Sequence, residues 1–352
     1  MNSAALDYSN VKIAVITGAN NGVGFSIAHR LLVEHHPSRF VVVLACRNLK
    51  RAETARASLL AQVAVAPGGS NTAVVHLVEL DTSSVASVMQ AADSLGRLVP
   101  RIDLLFCNAG AMAIESLDVF GIVCGLLTHP IAFFESSEAL RQRRGALSGD
   151  GLGLTFQTNV FGHYMLIHKL IPLMQNHNAR IIWTGSSASQ LDFSRSDYQH
   201  IHGCKAYESS KFIVDQIAVP LDDRLQRLHG IRSYVAEPGN VFSGFLAGLD
   251  NPPLLALIVV AYYFIRTVLG LSRFTITSEN ACASCCYVAL ASDEKEKLDS
   301  HVKYHSHATR LGKPYVRHRP LSYSESTGEF LMDRMDRLME RFDSERKEPI
   351  AS

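Results

Sequence analysis

Hydrophobic positions along this chain gather into short runs separated by longer stretches with helical spacing. The runs are Lys12–Thr17, Phe40–Ala45, Val74–Leu80, Ile102–Cys107, Arg180–Thr184 and Ile231–Ala236. Most are apolar at nearly every position, as strands covered on both faces should be. Between them, Gly22–Glu34, Lys50–Val63, Ser83–Leu98, Gly151–Met174 and Ala206–Leu228 predict helices. Strand and helix alternate, which predicts βαβ units and a parallel sheet covered on both sides. Three segments break the rhythm: 111–149, 189–203 and 245–275. The first carries its own apolar pieces, Phe120–Leu127 and Ile131–Phe134, and the second is polar. The third contains the most apolar stretch, with no charge from Leu254 to Ile265. Near the end, Phe330, Leu331, Leu338, Met339 and Phe342 form one helical stripe. The expected organisation is one domain over 11–320 with three insertions, two of them apolar, and a helical tail over 321–352.

Composition narrows the function. The net charge of the 352 residues is +1, and lysine and arginine do not pool, so a nucleic-acid partner is not expected. The seven cysteines are odd in number and irregularly spaced, and Met1–Asn10 is polar. Free thiols in a reducing compartment are therefore expected. Cys282, Cys285 and Cys286 lie in an apolar helical stretch without a second Cys/His pair nearby. They read as core cysteines, and no metal is expected.

The first run leads directly into Thr17-Gly18-Ala19-Asn20-Asn21-Gly22-Val23-Gly24 and then a helix. Gly18 permits a tight turn, Gly22 lets backbone approach a pyrophosphate, and Gly24 lets helix pack on strand. The helix N-terminus then faces the phosphates. This is a Rossmann-type dinucleotide loop in a doubly wound α/β sheet. Ala45-Cys46-Arg47-Asn48 ends the second run without the acid that would hold a free ribose 2′-hydroxyl. Arg47 matches a 2′-phosphate, so NADPH/NADP+ is the expected cofactor. Tyr207 and Lys211 stand four apart at the start of a helix, on one face. A phenol titrates near about 10, and a neighbouring ammonium is expected to lower that value. Tyrosine could then give a proton to a carbonyl oxygen while hydride reaches carbon. Ser186 or Ser187, after the strand ending at Thr184, could hold that oxygen.

TGANNGVG (17–24), Asp81, CNAG (107–110), TNVFGH (158–163), TGSS (184–187), YESSK (207–211) and EPGNVFS (237–243) follow in order over most of the chain. Together they resemble the short-chain dehydrogenase/reductase family. The resemblance implies a catalytic tetrad of Asn159, Ser186, Tyr207 and Lys211, with Asn159 holding a relay water and Ser187 the alternative hydroxyl. It implies that Gly18, Asn20, Gly22, Val23, Gly24, Arg47, Asp81, Asn108, Tyr207, Lys211, Val241 and Ser243 bind the cofactor. The loop between Ser186 and Tyr207 is longer than usual in that family, and Ser243 replaces the commoner threonine.

Within the family, LACRN (44–48), TNVFGHYMLIHKLIPLM (158–174), RIIWTGSSAS (180–189), DYQHIHG (197–203) and KYHSHATRLGKPYV (303–316) resemble the 3-keto-steroid reductase branch in its fungal form. In animals that branch is also called 17β-hydroxysteroid dehydrogenase type 7. The resemblance implies NADPH-dependent reduction of the 3-keto group of 4-methyl sterol intermediates, during C4 demethylation in ergosterol-type biosynthesis. It implies the cytosolic face of the endoplasmic reticulum membrane, or lipid droplets, with other C4-demethylation enzymes as partners. A 17-keto-steroid or retinal reductase and a non-catalytic lipid-binding scaffold are the alternatives. A single span at 254–271 would divide the sheet between two sides of a membrane. The segment is therefore expected to lie in the interface, dip in and return, or fold over the cleft.

Overall fold

The computed structural model describes residues 8, 10–34, 40–66, 73–118, 121, 128, 140–189, 193–241, 252–292 and 297–345. Eight strands form the main sheet: β1 Lys12–Thr17, β2 Phe40–Cys46, β3 Val74–Glu79, β4 Leu104–Cys107, β7 Arg180–Thr184, β8 Arg232–Glu237, β9 Val302–Ala308 and β10 Pro314–Pro320. Their order is β10-β9-β8-β7-β4-β1-β2-β3, and only the β9–β10 pair is antiparallel. Among the described residues the helices of eight residues or more are α1 Gly22–His29, α2 Leu49–Val65, α3 Val85–Leu98, α4 Gly162–Met174, α5 Ala206–His229, α6 Pro252–Thr267, α7 Ala283–Leu290 and α8 Glu325–Glu345.

The alternation of side chains along the strands builds two cores. Ile13 and Val15 join a cluster with Val88 of α3, Leu166 of α4 and Ile217 of α5. Ala14 and Ile16 point the other way, to Ile27 of α1, Leu59 of α2 and Val288 of α7. This is the doubly wound α/β sheet expected from the apolar runs. Cys282, Cys285 and Cys286 are buried in the second core. Leu331, Met335 and Phe342 of α8 complete the first, so the described part of the tail, 321–345, packs into the same core as the sheet.

Two strands of the main sheet were not foreseen. β9 and β10 alternate histidine, serine and basic residues, which do not read as a buried run. β10 is the sheet edge, and exposed Arg317, His318 and Arg319 guard it against further pairing.

The insertions have distinct structures. In 111–149, β5 Ile114–Leu117 and β6 Leu140–Gln142 pair antiparallel. Phe120 and the rest of its apolar piece apart from Gly121, together with Ile131–Phe134, lie outside the described residues. Residues 193–203 of the second insertion are a chain of turns in which Tyr198 stacks edge-on against Phe156. In the third, 252–267 is helical as α6, whereas 242–251 lie outside the described residues.

Candidate active site

The chain leaves β1 outward to β2 and β3, then crosses back to β4 on the other side of β1. The carboxyl ends of β1 and β4 therefore diverge and open a crevice, where such sheets bind ligands. Thr17, the last residue of β1, ties the two ends. Its hydroxyl accepts the backbone N–H of Asn108 (2.9 Å) and Ala109 (2.8 Å). The Asn108 amide donates back to the Thr17 carbonyl at 2.9 Å.

Gly18 adopts φ +66°, and an added Cβ would stand 2.9 Å from the Ala109 Cα. Any side chain there meets both strain and backbone. Asn21, at the N-cap of α1, makes no side-chain cap bond, which leaves first-turn N–H groups for an anion. The loop and the crevice thus fit a dinucleotide pyrophosphate.

One cavity of about 550 Å³ runs from this loop to Ser186, Tyr207 and Lys211. Gly18, Asn20, Gly22, Val23, Arg47, Asp81 and Asn108 line one part of it. Asn159 sits beside it, while Ser186, Tyr207, Lys211 and Val241 line the other part. Gly24 packs beneath the loop, where a Cβ would lie 2.6 Å from the Asn108 amide nitrogen. Ser243 is outside the described residues. At the far end Arg47 is 77% exposed and 3.9 Å from Asp81. Arg51 also lines the cavity here, and its N–H is capped by the Asn48 side chain at 2.9 Å. Arg51 follows Arg47 by one helical turn, so it is a second basic residue at this end that was not expected from the sequence.

The four residues of the expected tetrad come from three elements. Asn159 lies in a π-type turn, Gln157–Phe161, that leads into α4. Its Oδ1 accepts the Ala111 N–H at 2.7 Å, and its Nδ2 donates to Ser210 Oγ at 2.9 Å. Ser210 Oγ in turn donates to the Tyr207 carbonyl at 2.6 Å. Ser186 follows β7, and its hydroxyl hydrogen-bonds the Tyr207 phenol. Ser187 instead points to Asn240, 3.4 Å away, which separates the two candidate hydroxyls. Lys211 Nζ donates to the Thr184 carbonyl at 2.7 Å and lies 5.7 Å from the Tyr207 ring centre.

Electrostatics correct one expectation. The ammonium was expected to lower the phenol. Burial instead pushes Tyr207 up to about 12, against the Ser186 hydrogen bond, which lowers it. Burial also pulls the Lys211 ammonium down to about 8, partly offset by Asp215. At neutral pH the pair is thus phenol and ammonium, the proton-donating form.

Gln142 is a residue the sequence did not reveal. It is buried in β6, its Oε1 accepts the Tyr207 N–H at 2.8 Å, and its Nε2 donates to Glu208 at 2.6 Å. It caps the first turn of α5, where Lys205 provides no side-chain cap. Nothing in the sequence links positions so far apart. Tyr262 of α6 is also new to the site: it lines the cavity and stacks edge-on against Phe274.

Residues 12–124 match the short chain dehydrogenase family model. The chain is 33% identical over 322 residues to the human 3-keto-steroid reductase/17-beta-hydroxysteroid dehydrogenase 7, covering 90% of each. The chain belongs to the short-chain dehydrogenase/reductase family. It is also 30% identical over 348 residues to the 3-keto-steroid reductase of Candida albicans, covering 97% of this chain and 96% of that one. Among solved structures, Pseudomonas aeruginosa RhlG with NADP aligns with TM-score 0.55 at 21% identity, over 81% of this chain and 91% of that one. Levodione reductase aligns at 0.57 and 18%, over 82% and 93%. The protein is an oxidoreductase that uses a nicotinamide cofactor.

Of the expected acid–base pair, the Lys211 ammonium is the group that loses its proton first as pH rises. Reductive kcat/KM should be flat near neutrality and fall as pH rises through about 8, because deprotonation removes the charge beneath the phenol. A pH–rate profile with no alkaline limb below about 10 would contradict this assignment.

Proposed function

We propose that this protein reduces the 3-keto group of a 4-methyl sterol intermediate to the 3-hydroxyl with NADPH, during C4 demethylation. The observation that carries this reading is the single cavity joining the dinucleotide loop to Ser186, Tyr207 and Lys211. It occurs in a chain that 3-keto-steroid reductases match over nearly their whole length. The human relative's name also includes a 17-ketone activity, so that substrate is the rival to exclude.

Bound NADPH supplies the hydride. Tyr207 gives its proton to the carbonyl oxygen as charge develops there, and a forming alkoxide is a stronger base than a phenolate. Ser186, already bonded to the phenol, holds the same oxygen. Lys211 stabilises the phenolate left behind. Asn159 fixes Ala111 beside the cavity and, on the family resemblance, keeps a relay water. Arg47 and Arg51 at the start of α2 suit a 2′-phosphate and favour NADPH. Asp81 and Asn108 would line the adenine side, and Lys211 the nicotinamide ribose.

We also place the protein on the cytosolic face of the endoplasmic reticulum membrane. Among the described residues no helix is long and apolar enough to cross a bilayer, and α6 has 16 residues. One side of α6 turns Tyr262 and Ile265 inward. The other exposes Val260, Tyr263 and Phe264, followed by Val268 and Leu269. The β9–β10 turn adds Leu311, which is 98% exposed, flanked by exposed Arg310 and Lys313. Residues 252–278 and 301–323 contain no Asp or Glu. An apolar surface edged by basic residues suits an interface with anionic lipid headgroups.

Purified protein with NADPH should reduce a 4-methyl-3-keto sterol at least about tenfold more efficiently than a 17-keto steroid or retinal, a gap of about 1.4 kcal/mol in transition-state binding. Tyr207→Phe should lower turnover by about 10²–10⁴ with unchanged NADPH binding. Preference for the 17-ketone would move the substrate assignment while leaving the hydride chemistry intact. No reduction of any ketone would favour a lipid-binding scaffold.

Arg47→Asp should lower kcat/KM with NADPH far more than with NADH, since it sets repulsion against the 2′-phosphate. An unchanged ratio would make Arg47 a plain surface residue.

Replacing Val260, Phe264 and Val268 with asparagine should shift the protein from microsomes to the soluble fraction without lowering its melting temperature. Retention on microsomes would end the interfacial reading.

A further inference from the structure

Lys211 is not the sole ammonium holding the segment that carries Ser186. Lys303 of β9 pairs with Val235 of β8, and its stem crosses over Gly185, where a Cβ would lie 3.8 Å from the Lys303 Cδ. Its Nζ donates to the Ser186 carbonyl (3.2 Å), to Ser189 Oγ (3.1 Å) and to Asp215 Oδ2 (2.5 Å). Lys211 grips the carbonyl of Thr184, so two ammoniums hold the backbone on either side of Gly185. Asp215 follows Lys211 by one turn of α5, and Tyr207, Lys211 and Asp215 form one stripe. Lys303 is 6% exposed and Asp215 4%. Two ammoniums in so dry a space repel unless a carboxylate stands with them.

We propose that Lys303 and Asp215 are positioning residues of the active site. Lys303 fixes the Ser186 backbone against α5, and Asp215 is the anion that lets two ammoniums share the buried space behind the phenol. The proposal rests on the carbonyl-reducing role of Ser186, Tyr207 and Lys211, and not on the identity of the sterol.

The surroundings of Lys211 support this division of labour. Tyr207 and Asp215 face it from its own helix, Lys303 from β9, Cys107 from β4, Cys285 from α7 and His163 from α4. The Glu237 carboxylate of β8 turns to His305 at 3.2 Å and to Lys303 at 3.9 Å. Burial lowers Lys211, and Asp215 is the main influence that raises it. Asp215 itself is pushed up by burial and drawn back by Lys303. A pair that served stability alone could be exchanged for apolar side chains of similar volume with no loss of rate.

The test uses the full chain and two readouts. In the first, lysines are labelled with carbon-13 at Cε, and the Lys211 resonance is identified by its loss in Lys211→Arg. In Asp215→Asn the Lys211 titration midpoint should fall by about one pH unit or more. An unmoved midpoint would overturn the role given to Asp215. This titration needs no substrate, so a failure of the sterol reading leaves it interpretable.

The second readout is kinetic. Lys303→Met should lower kcat for ketone reduction by about tenfold or more while the NADPH KM stays within about twofold. Wild-type kcat would overturn the role given to Lys303. Should the single variant fail to fold, Lys303→Met/Asp215→Leu removes both charges together and keeps the volume. Low kcat in that folded double variant supports the proposal, and wild-type kcat refutes it.

Discussion

The Thr17 hydroxyl, held between the ends of β1 and β4, is the contact on which the site depends. It joins the two strands where the chain reverses its direction across the sheet. In the main sheet all strands except β10 run parallel, so their carboxyl ends share one edge. The glycine loop, Asn108, Ser186 and the segment after β8 all emerge on that edge. Without the clamp, the loop and the Asn108 turn would lose their common anchor. The residues that line the cavity gather because the sheet is parallel and buried on both faces, not because they are near in sequence.

Burial sets the chemistry of the site. An exposed Tyr–Lys pair would titrate near the ordinary values of both groups. Here the phenol is driven up and the ammonium down, so the protonated phenol persists through neutral pH. The cost of burying charge is met by partners placed from elsewhere: the Thr184 carbonyl beneath Lys211, and Gln142 at the first turn of α5. The hairpin formed by β5 and β6 thus does more than enlarge the domain. It supplies the cap for the helix that carries Tyr207.

The third insertion has two faces. Tyr262 lines the cavity and Ile265 packs in a small apolar cluster with Phe274 and Ile276, while Val260, Phe264 and Val268 are left to solvent. A buried lid would hide both faces, and a purely interfacial helix would contribute nothing to the cavity. The helix α6 both lines the cavity, through Tyr262, and leaves an apolar face exposed.

The sequence by itself determined the first six strands of the main sheet, the helices between them, and the placing of Tyr207 and Lys211 on one helix. Strands buried on two faces leave unbroken apolar runs, glycines at a phosphate loop have steric reasons to be glycine, and Tyr207 and Lys211 are local to one helix. β9 and β10 were illegible, because alternating histidine and basic residues look like a solvated loop until β8 offers a partner strand. The choice of Ser186 over Ser187 depends on which hydroxyl faces α5, and only packing decides that. Gln142 and Tyr262 reach the site across tertiary contacts that leave no periodic trace, whereas Arg51 is local to Arg47, one helical turn away. The charge states of Tyr207 and Lys211 were likewise out of reach, because desolvation is a property of the folded surroundings and not of the spacing between two residues.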